Sequence, residues 1–447
     1  MSKLKVTVVG GGLAGSEAAL VLSKNPNIEV TLYEMRPKKN TEVHKSDKFA
    51  ELVCSNSFKS LKPATAAGML KYELEVLKSP VYQCALNNRV EAGNALAVDR
   101  DLFSAEVTKL INDAKNIKVI HDEFADIKKE SKNCDYLILA TGPLTSEKLA
   151  NDLLKLTGVD ELAFYDAAAP IVMADSLDRN IIFEQDRYAN DVAASYLNIP
   201  MDKQEYETFI NELLNAECII KKDFESKDLF QACQPIEEVA RSGFDAPRYG
   251  AMKPVGLTDP RNGKRPYAVV QLRAENKEKT SYNLVGFQTN LTFSEQKRIF
   301  SMLPGLENAE FVRFGVMHRN TFINAPKLLD ENLNLKDNIY VAGQLCGTEG
   351  YLEAVRSGHH AAVSVLCKSM GEAVASLSEL TAFGSLIKYA TNPETKNYQP
   401  MHVNFGIFPP LDKQIRNKRD RYDAFAKRGK IEIEKYAKQL EKLWKKI

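Results

Sequence analysis

The chain has 447 residues, and its 60 Lys and Arg against 59 Asp and Glu leave a net charge of +1. That length supports two or three domains with a sizeable core, and the balance excludes a partner drawn by overall charge. Seven cysteines (54, 84, 134, 218, 233, 346 and 367) with no C-x-x-C argue against a disulfide framework and against a zinc or other metal site. No apolar run approaches the roughly 18 residues of a membrane helix, and the first is too short for a signal peptide. A reduced, cytoplasmic chain is expected.

The first predicted element is an apolar strand carrying Val6, Val8 and Val9, which breaks into Gly10-Gly11-Gly12-Leu13-Ala14-Gly15. Helical patterning resumes over residues 16–22, and a second apolar run, 30–33, ends at Glu34. This is the order of a dinucleotide-binding β-α-β unit. Gly10 permits the turn, Gly12 lets a pyrophosphate approach the backbone, and Gly15 lets helix and strand pack closely. The helix start offers N–H groups to phosphate, and Glu34 is placed for the ribose hydroxyls. Residues 135–143 read as another strand ending at Thr141-Gly142, and residues 338–344 as a third, leading to Gly343, Gln344, Gly350 and Tyr351. A Rossmann-like unit that returns to its own sheet after a long excursion resembles the FAD-binding flavoproteins of glutathione-reductase type. The predicted fold is therefore α/β, with an inserted α+β domain.

Residues 1–150 read as the first part of the cofactor domain, with a helix over 68–77 and another within 94–110. Residues 151–325 mix strand-like runs (169–173, 181–183, 267–272, 284–288) with helices near 203–215 and 294–302. Residues 326–391 complete the cofactor domain, and 392–447 form a third, basic region. From 412 onward thirteen Lys or Arg face six Asp or Glu, in a helix expected to break near Gly429. Ile433, Tyr436, Leu440, Trp444 and Ile447 fall on one stripe. A docked terminal helix and a phosphate-contacting arm both fit.

Cys233 is the most informative cysteine. Pro235 fits a first helical position, Glu237 and Glu238 an acidic first turn, and Gly243 the helix end. A thiol just ahead of a helix N-terminus is biased toward thiolate. Cys54, before Ser55-Asn56-Ser57, reads by itself as structural. Arg248, Lys253, Arg261, Lys264, Arg265 and Arg273 alternate with Phe244, Tyr249 and Tyr267, a pattern for phosphates and unpaired bases or for a solvated hairpin. His318 reads as a histidine in a polar turn.

Long blocks then resemble one family. These are residues 10–15 and 33–37, DKFAELVCSNS (47–57), CQPIE (233–237), MKPVGLTDPRNGKRPYAVVQLR (252–273), GVMHRN (315–320) and NFGIFPP (404–410). Together they resemble the folate- and FAD-dependent uracil-5 RNA methyltransferases over nearly the whole chain. The resemblance implies FAD held by Gly10, Gly11, Gly12, Leu13, Ala14, Gly15, Glu34, Met35, Arg36, Gly343, Gln344, Gly350 and Tyr351. It implies methylenetetrahydrofolate as one-carbon donor and NAD(P)H as reductant. The implied substrate is structured RNA, a tRNA T-loop uridine by default or a 23S-type rRNA uridine in some relatives. Cys233 would be the nucleophile at uracil C6 and Cys54 the general acid/base at C5. Arg248, Lys253, Arg261, Lys264, Arg265, Arg416, Lys418 and Arg419 are the candidate RNA contacts. Thr348, Arg356, His359 and His360 depart from the small or apolar residues expected, at positions expected near flavin or folate. Other readings stay open: the longer flavoprotein that modifies tRNA wobble uridines, an NAD(P)H-flavin oxidoreductase, and an FAD-containing RNA-binding relative without catalysis.

Overall fold

The structure, a computed structural model, describes residues 3–41, 43–158, 162–187, 195–220, 234–315, 317–395 and 398–446. Its first sheet has six strands in the order Asn334–Lys336, Ile339–Val341, Tyr136–Leu139, Leu4–Val9, Ile28–Glu34, Ile117–His121. All neighbours pair in parallel except Asn334–Lys336, which returns antiparallel on one edge. Val6 lies between Val30 and Tyr136, so the strand nearest the chain start is central, and from Val6 to Val9 it is buried on both faces. Gly10, Ala140 and Ala342 follow three adjacent strands, and their carboxyl ends open the crevice where such folds bind ligands.

The helix Leu13–Ser23 is buried from Ala14 to Leu22 without a polar face. It lies between the sheet and a long helix, Tyr351–Ser369, and the close approach is set by glycine. A Cβ at Gly358 would stand 2.1 Å from the Ala14 carbonyl oxygen.

The second sheet is antiparallel, with the order Phe183–Glu184, Tyr196–Met201, Ala268–Ala274, Ser281–Leu284, Ile171–Met173, Phe311–Arg313. It has its own core, which includes Ile199, Phe209, Val270, Phe287 and Phe300. The helix Lys203–Leu214, opened by an Asp202–Glu205 capping box, and the helix Phe293–Phe300 cover it. The run expected as a strand over 284–288 instead ends at Leu284, because the chain turns at Gly286 with φ +79°. His318 lies in a strand, Met317–Phe322, paired antiparallel with Leu162–Ala167, and not in a turn.

The terminal helix runs unbroken from Lys418 to Trp444. Gly429 does not break it. A Cβ there would meet Met69 Cε at 2.4 Å and the Leu380 carbonyl oxygen at 3.0 Å, so the glycine permits contact. Ile433, Tyr436 and Leu440 join the core of the first sheet; Ile447 lies outside the described residues. Arg428 donates to the carbonyls of Pro409 (2.6 Å) and Pro410 (2.7 Å), fastening the 404–410 segment to the helix.

Candidate active site

At the carboxyl ends of the parallel strands lies a cleft with about 1670 Å³ of empty space out to its open mouth. Its nucleotide end is made almost wholly of backbone. Gly10 has φ +102°, and a Cβ there would sit 2.5 Å from the Ala140 oxygen; one at Gly15 would sit 1.9 Å from the Gly10 oxygen. A Cβ at Gly12 meets nothing within 4 Å, so its backbone is bare toward the cleft. The helix that follows has Gly12 as its N-cap, with no side chain on its first N–H groups and no acid in its first turn. Those donors are left for an anionic ligand. Leu13 and Ala14 line the same wall, and a Cβ at Gly343, which has φ +77°, would stand 3.0 Å from the Ala14 Cβ.

Glu34 is buried at the end of its strand. Its Oε2 accepts from the Gly11 N–H at 2.9 Å, and its Oε1 from the Arg36 N–H at 3.0 Å and Nε at 2.9 Å. Burial alone would push this carboxyl up, but the Arg36 hydrogen bonds and charge outweigh it, and the group is held below its usual range. Arg36 also donates to the Ser46 carbonyl and Glu51, both at 3.1 Å. A carboxylate offers about four lone-pair directions, so Glu34 keeps capacity for a ribose hydroxyl, whereas Arg36 is committed to the protein. The bare glycine cradle, the uncapped helix start and the acid at the second strand's end together fit FAD.

The far end of the cleft is made of side chains. Cys54 sits in a half-buried loop whose N–H, with that of Ser55, donates to the Tyr351 hydroxyl at 2.9 and 3.0 Å. Arg100 donates to the carbonyls of Leu52 (2.7 Å) and Cys54 (3.2 Å), and its Nε pairs with Glu275. Arg313, on the second sheet, donates to the Val53 carbonyl. Asn56 donates to Ala274 at 2.9 Å and accepts from Arg273 Nε at 2.8 Å. Both halves of the molecule thus grip the loop that carries Cys54. Arg273, expected among exposed basic groups, is buried in this grip. Arg100, Asn56, Glu275 and Arg313 were not signalled by the sequence, because their partners are remote along the chain. Gln344 pairs with Glu349 on the opposite wall, beside Gly350.

Cys233 lies outside the described residues. The chain on either side is anchored on one segment: Ile219 N–H donates to the Asn290 carbonyl at 2.8 Å, and Ile236 N–H to that of Gln288 at 2.7 Å. Helix Ile236–Ser242 starts one residue later than expected, with Pro235 as N-cap and Gly243 at the other end. Glu237 and Glu238 stand in the acidic first turn as expected, but Glu237 turns away from solvent. It is buried, accepting from Asn290 N–H at 2.6 Å and Thr289 Oγ1 at 3.0 Å, and burial pushes its carboxyl up to about 7.

The basic candidates divide. The Arg248 guanidinium lies 3.5 Å from the Tyr267 ring centroid and bonds the Tyr267 carbonyl and Asp245. Arg261 grips Asp259. Lys264, Arg265, Arg416, Lys418 and Arg419 are exposed, and Lys253 is half-buried. Arg356, His359 and His360 do not face the cleft but lie in the core behind it. Arg356 sits 4.7 Å from the Phe383 ring centroid and 3.8 Å from Glu73. His359 Nδ1 pairs with Glu17 at 2.9 Å, and His360 Nε2 with the Glu331 carbonyl at 2.9 Å. Thr348 is also buried, its hydroxyl donating to the Gly343 carbonyl at 2.8 Å. Met35 and Tyr351 line the cleft. Among the described residues no helix is long and apolar enough to cross a membrane.

Sheet order, inserted antiparallel domain and glycine cradle define a two-domain flavoprotein of glutathione-reductase type. The profile of the family described as Glucose inhibited division protein A matches residues 5–373. The structure of Aquifex aeolicus GidA in its form I crystal superposes with a TM-score of 0.70 at 15% identity, covering 99% of this chain and 77% of that one, a likeness of fold. In sequence, the methylenetetrahydrofolate--tRNA-(uracil-5-)-methyltransferase TrmFO of Fusobacterium nucleatum is 50% identical over 95% of this chain and 97% of its own. That of Lactobacillus johnsonii is 47% identical over 97% and 98%. The chain belongs to this TrmFO family of folate-dependent methyltransferases, within the broader Glucose inhibited division protein A group.

Proposed function

We propose that this protein methylates C5 of a uridine in tRNA, with methylenetetrahydrofolate as one-carbon donor, FAD in the cleft and NAD(P)H as reductant. The observation that carries this reading is Cys54, held by both halves of the molecule beside the cleft, in a chain about half identical to named uracil-5 methyltransferases over its whole length. The N–H groups of Gly12, Leu13 and Ala14 would hold the pyrophosphate and Glu34 the ribose, while the Gly11 N–H stays on Glu34. FAD, when bound, supplies carriage and reduction of the one-carbon unit.

The chain's own residues supply the rest. Uracil C5 is a weak carbon nucleophile until the Cys233 thiolate adds at C6, which leaves C5 enolate-like. Once C5 has formed its new carbon–carbon bond, its proton must leave, and Cys54 is the group to take it. With that proton gone, and once a hydride has completed the methyl group, the C6–sulfur bond breaks, which releases the Cys233 thiolate and restores the C5–C6 double bond. The exposed Lys264, Arg265, Arg416, Lys418 and Arg419, with Lys253, are the phosphate contacts. Arg248 and Arg261 shape the hairpin between them.

The test is methylation by the purified yellow protein, with labelled methylenetetrahydrofolate, NADPH, and unmodified tRNA and large-subunit rRNA transcripts in parallel. The expected result is 5-methyluridine in tRNA, abolished in Cys233→Ala. Label in rRNA alone would reassign the substrate. Flavin reduction without label in either RNA would overturn the methyltransferase reading.

A further inference from the structure

Three aromatic rings form a ladder next to the Cys54 grip. Phe311 and Phe314 stack with centroids 5.3 Å apart and planes 14° from parallel; Phe314 and Phe293 stack at 5.3 Å and 18°. The inner rings are half-buried, but Phe293, which ends the ladder, is 52% exposed. A phenylalanine this open, aligned with two others, presents a flat apolar face to water at the start of a helix.

Its surroundings are specific. Arg313, between Phe311 and Phe314, is the residue that reaches the Val53 carbonyl beside Cys54. Gln288 and Asn290, which anchor the chain on either side of the Cys233 segment, lie a few residues before Phe293. Lys297, one helical turn on at i+4, shares its face and is exposed. A flat ring with a neighbouring cation matches one ligand class, an unpaired nucleobase with its phosphate: every base has a π-face, and the lysine meets the backbone.

We propose that Phe293 is a stacking platform for an unpaired nucleotide flanking the target uridine, with Lys297 holding its phosphate. This rests on the RNA methyltransferase reading and adds a subsite to it. An RNA substrate with 2-aminopurine in place of one or the other neighbour of the target uridine is bound to the FAD-loaded enzyme. Fluorescence quenching is expected at one of the two positions, and its loss in Phe293→Leu. The same variant should raise KM for RNA roughly 5- to 100-fold, the range for loss of one base stack, while Phe293→Trp keeps the wild-type value. Melting temperature and flavin content report whether each variant folds. An active wild type that quenches neither probe overturns the platform alone, as does a folded Phe293→Leu with unchanged KM. A wild type that neither binds nor methylates RNA overturns the parent reading as well.

Discussion

The two ends of the cleft are built on opposite principles. The nucleotide end is backbone: Gly10, Gly12, Gly15 and the start of one helix, all within one short stretch, with Glu34 as the acid at the end of the second strand. The thiol end is side chain: Arg100, Asn56, Glu275, Arg313 and Tyr351 come from both halves of the molecule to hold four residues around Cys54. The first is rigid because steric exclusion leaves no alternative. The second is rigid only while two domains stay docked, so the position of the Cys54 thiol depends on interdomain geometry that a nucleotide does not feel.

The largest expected effect tests the backbone end. Gly15→Ala would place a methyl 1.9 Å from the Gly10 oxygen, and backbone cannot yield there as a side-chain tip can. The purified variant should lose its flavin, read as the loss of absorbance near 450 nm relative to protein. A yellow, active Gly15→Ala would refute the steric account.

Next comes the thiol end. Arg313→Met leaves the Val53 carbonyl without its donor and should keep FAD while methylation falls on the order of 100-fold, the scale of a small misplacement of a reacting group. Arg313→Lys should recover part of that rate. Equal loss of flavin and turnover would erase the distinction between the two ends.

A third prediction concerns the anchor near Cys233. The Glu237 carboxyl is pushed up to about 7 by burial from an ordinary value of 4.5. Between those values the folded protein keeps a proton that the unfolded chain has released, so stability falls as pH rises through this window. Glu237→Gln should flatten that slope between pH 5 and 8 in thermal melts; an unchanged slope assigns it to another group. The smallest effect is at the surface. Lys418→Gln should weaken RNA binding uniformly and lower the salt-dependence slope by about 1, with flavin content and the rate at saturating RNA unaltered.

The nucleotide end was legible because its physics is local. A strand, a glycine turn and a helix follow one another, and each glycine's role follows from close packing within that unit. The parallel strands at 136–139 and 339–341 were legible for a similar reason, as apolar runs leading into glycine. Gly429 was misread, and the burial of Glu237 went unseen, because local rules were applied where tertiary contact governs. A glycine that breaks an isolated helix can instead let another element touch it, and an acid suited to a helix start can turn inward to cap a neighbouring segment. Arg356, His359 and His360 failed similarly. Proximity in sequence to the cleft placed them near the ligand, but the helix turns that face toward the core, where Glu73, Glu17 and the Glu331 carbonyl receive them.

By itself, then, the sequence determined the dinucleotide unit, the α/β sheet it belongs to and the inserted second sheet, since periodicity and glycine spacing are set by neighbours along the chain. Only the tertiary structure decided what surrounds Cys54, which basic groups stay free for phosphate, and where the terminal helix docks. Those outcomes depend on side chains that meet across hundreds of residues, and burial decides whether each charge finds a protein partner or water.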